Sequence, residues 1–363
     1  MTNKGIGSTN HFTFLRTAAA LLVLWSHQHA LSGIPESGVL GVHSWGGLGV
    51  LIFFTVSGFL VTQSWQSDPH MGRFALRRLL RIWPAFAVAI LLSALVLGPA
   101  LSDLSLRAYF YDHRFTEYLN NLVFRLRGEL PLRFEGNALP TAINGSLWTI
   151  PLELRCYAIL AVVGAMGLLN RRALVLAITL GLALLHAGVQ LRGELFTQWV
   201  SPKIEELYFV EFGIAFLMGV SVRLYWTELA PRMHWVLLAT LVLGGGSWWL
   251  GRPVLSMLLV VPVATLMFAT RSWLGLRDMD RVGDFSYGIY LYAFLVQQLL
   301  IWAFRDHLGW WPLLGLTILV TVSLAAASWY GVERPLQRFK PRARRVAVPV
   351  PVAPGAGVVP LSP

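Results

Sequence analysis

The chain has 363 residues, of which 56% are hydrophobic and 13% are charged, whereas roughly 25% of the residues in an average soluble domain are charged. A soluble protein of this size has too little interior to hide so much apolar surface from water, so the composition excludes an ordinary soluble enzyme. The net charge of +11 requires no nucleic-acid partner, because basic cytoplasmic segments beside anionic lipid account for it.

Long apolar stretches recur along the chain. Each is close to the roughly 20 residues that a helix needs to cross a bilayer, and none shows the alternating polarity of barrel strands. They predict an all-α, polytopic integral membrane protein with about ten transmembrane helices. The predicted spans are 14–32, 44–66, 82–101, 146–169, 173–191, 207–226, 234–250, 253–270, 286–304 and 311–331.

The distribution of basic residues predicts the orientation in the membrane. With the N-terminus in the cytoplasm, 19 of the 29 Lys and Arg residues fall on the cytoplasmic side and nine in the outside loops, as the positive-inside rule requires. An even number of spans then places both termini in the cytoplasm. Residues 1–340 form the predicted membrane domain, and residues 341–363, rich in Pro and Val after a basic start, form a predicted disordered tail.

The first predicted span carries two ionisable side chains, Arg16 and His27. Eleven residues are almost three helical turns, so both side chains lie on one face, about 16 Å apart along the axis. An arginine at the cytoplasmic mouth suits a phosphate-bearing ligand, and a deep imidazole suits a general base. The alternative is an arginine that anchors the helix end and a histidine that hydrogen-bonds a neighbouring helix. Spacing alone does not separate the two interpretations.

The second span, GGLGVLIFFTVSGFLV at 46–61, is rich in small residues. Gly46, Gly49, Ser57 and Gly58 predict close approach of neighbouring helices, which is the common reason for small residues inside membranes. The functional alternative is that this close packing brings Ser57 next to a bound ligand.

The segment RFALRRLLRIWP at 73–84 follows. Arg78 and Arg81 are three residues apart and therefore share one helix face, and guanidinium groups suit phosphate. Taken by itself, such a cluster is typical of a cytoplasmic anchor. Pro84 is expected near the start of the third span, where proline is tolerated.

The fourth span opens with SLWTIPLELRCY at 146–157. If the helix runs through Pro151, then Ser146, Glu153 and Tyr157 share one side and indicate a polar site within the membrane. If the helix begins at Pro151, Glu153 instead complements the dipole at its N-terminus. Both interpretations remain open at this point.

In this order, the motifs resemble those of the acyltransferase-3 family of bacterial membrane O-acyltransferases, over roughly residues 10–340. Members of the family are similar in having about ten helices with both ends in the cytoplasm. They move acyl groups, commonly acetyl, from cytoplasmic acyl-CoA to hydroxyl groups of glycans or other acceptors. The matching elements are Arg16 with His27, GVLIFFTVSGFLV at 49–61, RRLLRIWP at 77–84, SLWTIPLE at 146–153, SYGIYLY at 286–292 and ERP at 333–335.

Two positions depart from the usual pattern of the family. Leu51 stands where many members carry an acidic residue in the second span, and Ala293 stands where many carry a histidine in the ninth. Both departures bear on which acceptor is used and on whether an accessory proton relay exists. They do not affect Arg16, Arg78, Arg81 or His27, which match the pattern of the family.

The resemblance implies a site made of five residues. Arg16, Arg78 and Arg81 would hold the phosphates of acyl-CoA, His27 would act as general base, and Glu153 would orient an imidazole or a substrate hydroxyl. The expected partners are acyl-CoA, a carbohydrate or other hydroxyl-bearing acceptor, and membrane lipid. No metal and no permanently bound cofactor is expected, and the implied location is the bacterial inner membrane.

The alternative interpretation is a membrane transporter or flippase of a sugar-containing or lipid substrate, which also needs polar groups inside a helical bundle. Transporters of many folds contain paired repeats, and no such repeat is evident in the sequence. Transfer of a labelled acyl group by the purified protein in the absence of vesicles would distinguish the two functions.

Overall fold

The computed structural model describes residues 11–39, 41, 43–191, 204–271 and 282–341. These residues form helices and connecting segments, with no β-strand among them beyond an isolated bridge between Val39 and His43. The predicted all-α class is therefore confirmed. Apart from its first residue, the predicted tail at 341–363 lies outside the described residues.

Ten helices of at least 17 residues make up most of the described chain. Each of them overlaps one of the ten predicted apolar stretches. The helices are α1 (Phe12–Ser32), α2 (Trp45–Ser67), α3 (Met71–Leu91), α4 (Thr149–Ala165), α5 (Arg172–Leu191), α6 (Ile204–Leu224), α7 (Met233–Trp249), α8 (Pro253–Thr270), α9 (Ser286–Phe304) and α10 (Trp310–Ser328).

Not every long helix is apolar enough to cross a membrane by itself. Among the described residues, seven helical segments qualify by length and composition. The number is eight if Tyr208–Leu224, most of α6, and Trp226–Trp249, which ends in α7, form one span with a bend of 75°. Helix α1 is not one of the seven, since polar residues such as Arg16 and His27 lower its hydropathy. The chain is thus a multi-pass membrane protein, but ten crossings are not confirmed.

Helix α3 begins earlier than predicted, at Met71 rather than at residue 82. Two residues before it explain this start. The His70 ring accepts a hydrogen bond from the Arg73 backbone N–H at 3.3 Å, and the Asp68 carboxylate accepts bonds from the guanidinium groups of Arg73 and Arg77 at 2.9 and 2.6 Å. The arginine cluster is therefore helical, and Pro84 lies inside the helix and not near its start.

Small residues allow α2 to approach two neighbouring helices closely. A Cβ atom on Gly49 would lie 2.6 Å from the carbonyl oxygen of Ala19 in α1. On another side of α2, Gly58 lies so close to the backbone of Phe216 in α6 that no side chain fits between them. The predicted close packing of the second span is confirmed, and it holds α1 and α6 against α2.

The long segment between α3 and α4 is folded onto the bundle. Its apolar side chains Leu130 and Phe134 are buried. Asn137 donates a hydrogen bond to Gln298 Oε1 at 2.7 Å, and Gln298 Nε2 donates to the Ala142 carbonyl at 2.6 Å. Because Gln298 belongs to α9, these bonds fasten the segment to that helix.

Candidate active site

Two arginines from different helices share one carboxylate. Arg16 of α1 and Arg81 of α3 approach the same Asp284 oxygen, with Nη1–Oδ2 and Nη2–Oδ2 distances of 2.5 and 2.6 Å. Glu333, which follows α10, adds a second carboxylate 3.5 Å from Arg81 Nη1. All four side chains are largely buried. The cluster therefore joins α1 and α3 to the start of α9 and to the end of α10.

Asp284 is held in its charged form by this arrangement. Burial would raise the pKa of its carboxyl group, but the positive charges of Arg16 and Arg81 and hydrogen bonds from Ser286 outweigh burial and lower the pKa to about 2. The Ser286 contacts are a backbone N–H at 3.3 Å and the side-chain hydroxyl at 2.5 Å. Asp284 thus acts as an ionised counter-charge.

Arg78 differs from the other arginines of α3. Arg73 and Arg77 are paired with Asp68, and Arg81 with Asp284, but no carboxylate of the described residues lies within 4.0 Å of Arg78. Its guanidinium carbon lies 5.9 Å from the centres of the Phe74 and Tyr157 rings, and its Nε is buried with no hydrogen-bond partner in the described structure. A part-buried cation without a counter-charge is suited to bind an anion.

Glu153 of α4 takes part in a polar contact inside the bundle. Ser57 of α2 donates a hydrogen bond to Glu153 Oε1 at 2.7 Å, and the Tyr157 hydroxyl donates to the same oxygen. Helix α4 starts at Thr149, and its first turn contains no acidic residue. These contacts favour the interpretation of Glu153 as part of a polar site over that of a dipole partner.

A cavity of about 40 Å³ lies beside this polar contact. That volume holds a few water molecules, so an acyl-CoA arm can enter only if the lining side chains move apart. Two of the predicted site residues, Arg16 and Glu153, both line this cavity. It is lined by Arg16, Val50, Phe53, Phe54, Ser57, Thr149, Ile150, Glu153, Tyr287 and Tyr290.

His27 lies apart from this cavity, nearer the C-terminal end of α1. Its ring meets the edge of Phe294 of α9, with the ring centres 5.0 Å apart, and its Nδ1 is buried without a hydrogen-bond partner in the described structure. Phe294 in turn packs on Gly145, where a Cβ atom would lie 2.5 Å from the phenyl ring. The end of the long segment thus supports the ring that contacts His27, and no hydrogen bond joins His27 to Glu153.

The structure therefore divides the five predicted site residues. Arg16 and Arg81 meet at Asp284, Glu153 shares the cavity with Arg16, and Arg78 lies beside Tyr157, a partner of Glu153. His27 stands alone among them.

Asp284 received no role from the sequence. An aspartate just before an apolar helix commonly hydrogen-bonds the backbone two residues on, and Asp284 does accept the Ser286 N–H. Nothing in the local pattern distinguishes this local contact from a partner for distant arginines.

Comparison with known proteins gives three matches. A family model described as an acyltransferase domain matches residues 10–330. An O-acetyl transferase of Shigella phage Sf6 is 31% identical over 345 residues, which cover 92% of this chain and 98% of that protein. Nodulation protein 10 of Rhizobium leguminosarum bv. viciae is 30% identical over 374 residues, which cover 94% of this chain and 97% of that protein. No solved structure matches.

Proposed function

The chain belongs to the acyltransferase-3 family of membrane O-acyltransferases, and we propose that it moves an acetyl group from cytoplasmic acetyl-CoA to a hydroxyl group of a carbohydrate or similar acceptor. The proposal includes a location in the bacterial inner membrane with both termini in the cytoplasm, on the basis of the charge distribution. The name of the phage relative, an O-acetyl transferase, supports acetyl as the transferred group.

The observation that carries the choice of donor is the uncompensated charge of Arg78. Coenzyme A has a polyphosphate head, and a guanidinium group forms strong charge-assisted hydrogen bonds with phosphate. Arg16 and Arg81 already contact Asp284, but each guanidinium has five N–H donors, so donors remain for phosphate. In this proposal, Arg78 supplies the principal phosphate contact, and Arg16 and Arg81 supply additional ones.

His27 is proposed as the general base. The imidazole accepts the proton of the acceptor hydroxyl while the hydroxyl oxygen attacks the thioester carbonyl. The carbon–sulfur bond then breaks, and the CoA thiolate leaves and takes up the proton. The unpartnered Nδ1 of His27 and the support of its ring by Phe294 are consistent with this role. Glu153, bonded to Ser57 and Tyr157, is proposed to orient a substrate hydroxyl in the cavity, other than the hydroxyl that His27 deprotonates.

The decisive experiment follows the acetyl group. Purified protein in detergent, without vesicles, is incubated with radiolabelled acetyl-CoA, and cell-envelope glycans from cells with and without the protein are compared by mass spectrometry. Consumption of acetyl-CoA together with glycans heavier by an acetyl group is the expected result. Solute movement across reconstituted vesicles with no consumption of acetyl-CoA would instead support a transporter.

Arg78→Ala is expected to weaken binding of coenzyme A about 10- to 100-fold, because a hydrogen bond to a charged group contributes roughly 1.5–3 kcal/mol and about 1.4 kcal/mol corresponds to a tenfold change in affinity. The remaining affinity should depend less on salt. Calorimetry in detergent measures both effects. Arg172→Ala, which removes an exposed arginine paired with Glu228, is the matched control. If the Arg78 variant and the wild type bind coenzyme A with equal affinity, Arg78 is a membrane anchor and not a phosphate ligand.

A further inference from the structure

The chain that follows α10 returns to the arginines of α3. A π-helical turn at Trp329–Glu333 leads into a short helix at Arg334–Gln337. Glu333 lies 3.5 Å from Arg81 Nη1, and the Trp329 ring centre lies 5.9 Å from the Arg81 guanidinium carbon. Pro335 does not end the helical path, because it stands in the first turn of the short helix, where its missing N–H is not needed.

The lysine at the end of this segment is bonded to the short helix. Lys340 lies three residues beyond Gln337, the last residue of that helix, in the turn that follows it. Lys340 Nζ donates a hydrogen bond to Gln337 Oε1 at 3.0 Å. Since the short helix packs against α3, this bond ties the Lys340 ammonium to an element that contacts the helix of Arg78 and Arg81.

Two buried hydrogen-bond donors here have no protein partner. Gln337 Nε2 and Arg78 Nε are both buried without an acceptor in the described structure. Lys340 has no carboxylate within 4.0 Å among the described residues, and neither does Arg78. Buried donors without acceptors are uncommon in native proteins and need an explanation, such as a ligand.

The charges of the cluster are unevenly compensated. Formally, the guanidinium groups of Arg16 and Arg81 are balanced by the carboxylates of Asp284 and Glu333. Two positive charges then remain, on Arg78 and on Lys340.

The Lys340 ammonium lies within the electrostatic field of these arginines. Burial, and after it the positive charges of Arg81, Arg78 and Arg16, lower its pKa to about 8, while Asp284 acts in the opposite direction. A doubly charged phosphate group placed among these cations would relieve their mutual repulsion.

We infer that Lys340 is a second phosphate ligand beside Arg78, and that the segment 334–341 forms one wall of the site for the polyphosphate head of the donor. This inference rests on the proposed function. The pyrophosphate and the ribose phosphate of coenzyme A are separate anionic groups, so cations carried by two different elements can bind them together. An anionic lipid headgroup shares this chemistry, and the experiment must distinguish the two sources.

The test measures the affinity for coenzyme A by calorimetry in a neutral detergent. Lys340→Met is expected to weaken binding about tenfold or more, since it removes a charge-assisted contact. Lys340→Arg should retain most of the affinity. Arg338→Met is the matched control, because Arg338 is an exposed cation of the same segment. Thermal unfolding of each variant shows whether it is folded, and repetition with added phosphatidylglycerol shows whether lipid competes for the site.

The pH dependence of coenzyme A affinity is a second test, because a lysine with a purely structural role would not change it. Phosphate binding favours the protonated ammonium, so wild-type affinity should fall as the pH rises through about 8, the pKa of Lys340. Lys340→Arg should remove this fall, because arginine stays charged. The other charged groups that act on Lys340 are Arg81, Arg78, Arg16 and Asp284, and none of them titrates in that range. Glu333, which contacts Arg81 in the same cluster, is also titratable, but any fall in affinity that it causes would remain in Lys340→Arg.

The outcomes separate the inference from the proposed function. If Arg78→Ala weakens binding but Lys340→Met does not, Lys340 is no ligand and the proposed donor stands. If Arg338→Met weakens binding as much as Lys340→Met, the loss comes from the lower positive charge of the segment and not from a contact of Lys340, and the inference is overturned. An effect of Lys340→Met that appears only with phosphatidylglycerol assigns the lysine to lipid and also overturns it. If the wild type binds no coenzyme A, the proposed donor itself fails.

Discussion

Replacement of His27 by alanine is expected to slow acetyl transfer by about 10²- to 10⁴-fold, the range that a positioned general base contributes. Binding of coenzyme A should remain, because the phosphate contacts lie toward the opposite end of α1, near Arg16, about 16 Å away along the axis. Initial rates with radiolabelled acetyl-CoA and calorimetry with coenzyme A measure the two effects separately.

The structure offers a matched control for His27 in the same helix. His29 is two residues further on, hydrogen-bonds through Nδ1 to the Trp25 carbonyl at 3.1 Å and packs against Trp310. His29→Ala therefore removes an imidazole whose contacts are already satisfied, and it should retain most of the activity. Wild-type rates in the His27 variant, or equal losses in both variants, would contradict the assignment of His27 as the base.

Asp284→Asn is expected to lower the free energy of unfolding by about 3–5 kcal/mol, the usual cost of removing one partner of a buried ion pair. The variant leaves the guanidinium groups of Arg16 and Arg81 facing each other without the carboxylate that holds both. Unfolding in mixed detergent micelles measures the change. Glu228→Gln, which breaks the exposed pair with Arg172, should change stability far less, because solvent screens that pair.

A second substitution tests the cause of this loss. If repulsion between the two arginines is responsible, Arg16→Gln should restore part of the stability when it is added to Asp284→Asn, so the two effects should not be additive. Additive losses, or no loss in the single Asp284 variant, would show that the shared carboxylate does not hold α1 and α3 together.

The pH dependence of stability follows from the lowered pKa of Asp284, which is about 2 against an ordinary value of 3.8. A carboxyl group with a lowered pKa in the folded state stabilises the protein above its unfolded pKa, and this contribution disappears as the pH falls toward the folded pKa. The wild type should therefore lose this contribution between about pH 4 and pH 2, and Asp284→Asn should lack that part of the loss.

The helices were largely predictable, because the length and apolar character of a segment are local properties of the chain. All ten apolar stretches overlap long helices. The early start of α3 was missed, since it depends on contacts of Asp68 and His70 with arginines that the pattern assigned to a connecting segment. The number of membrane crossings was not settled by apolar length either, because α1 is less apolar than the seven qualifying segments.

What the sequence determined by itself is the all-α membrane class, the family and the placement of Arg16 and His27 on one face of α1. These follow from composition, ordered motifs and helical geometry, none of which requires knowledge of the neighbours. Only the tertiary structure showed that Arg16 is paired with Asp284, 268 residues away, and that Arg78 has no carboxylate. Ion pairing is a property of helices that meet in space, and sequence distance carries no information about which charges will meet.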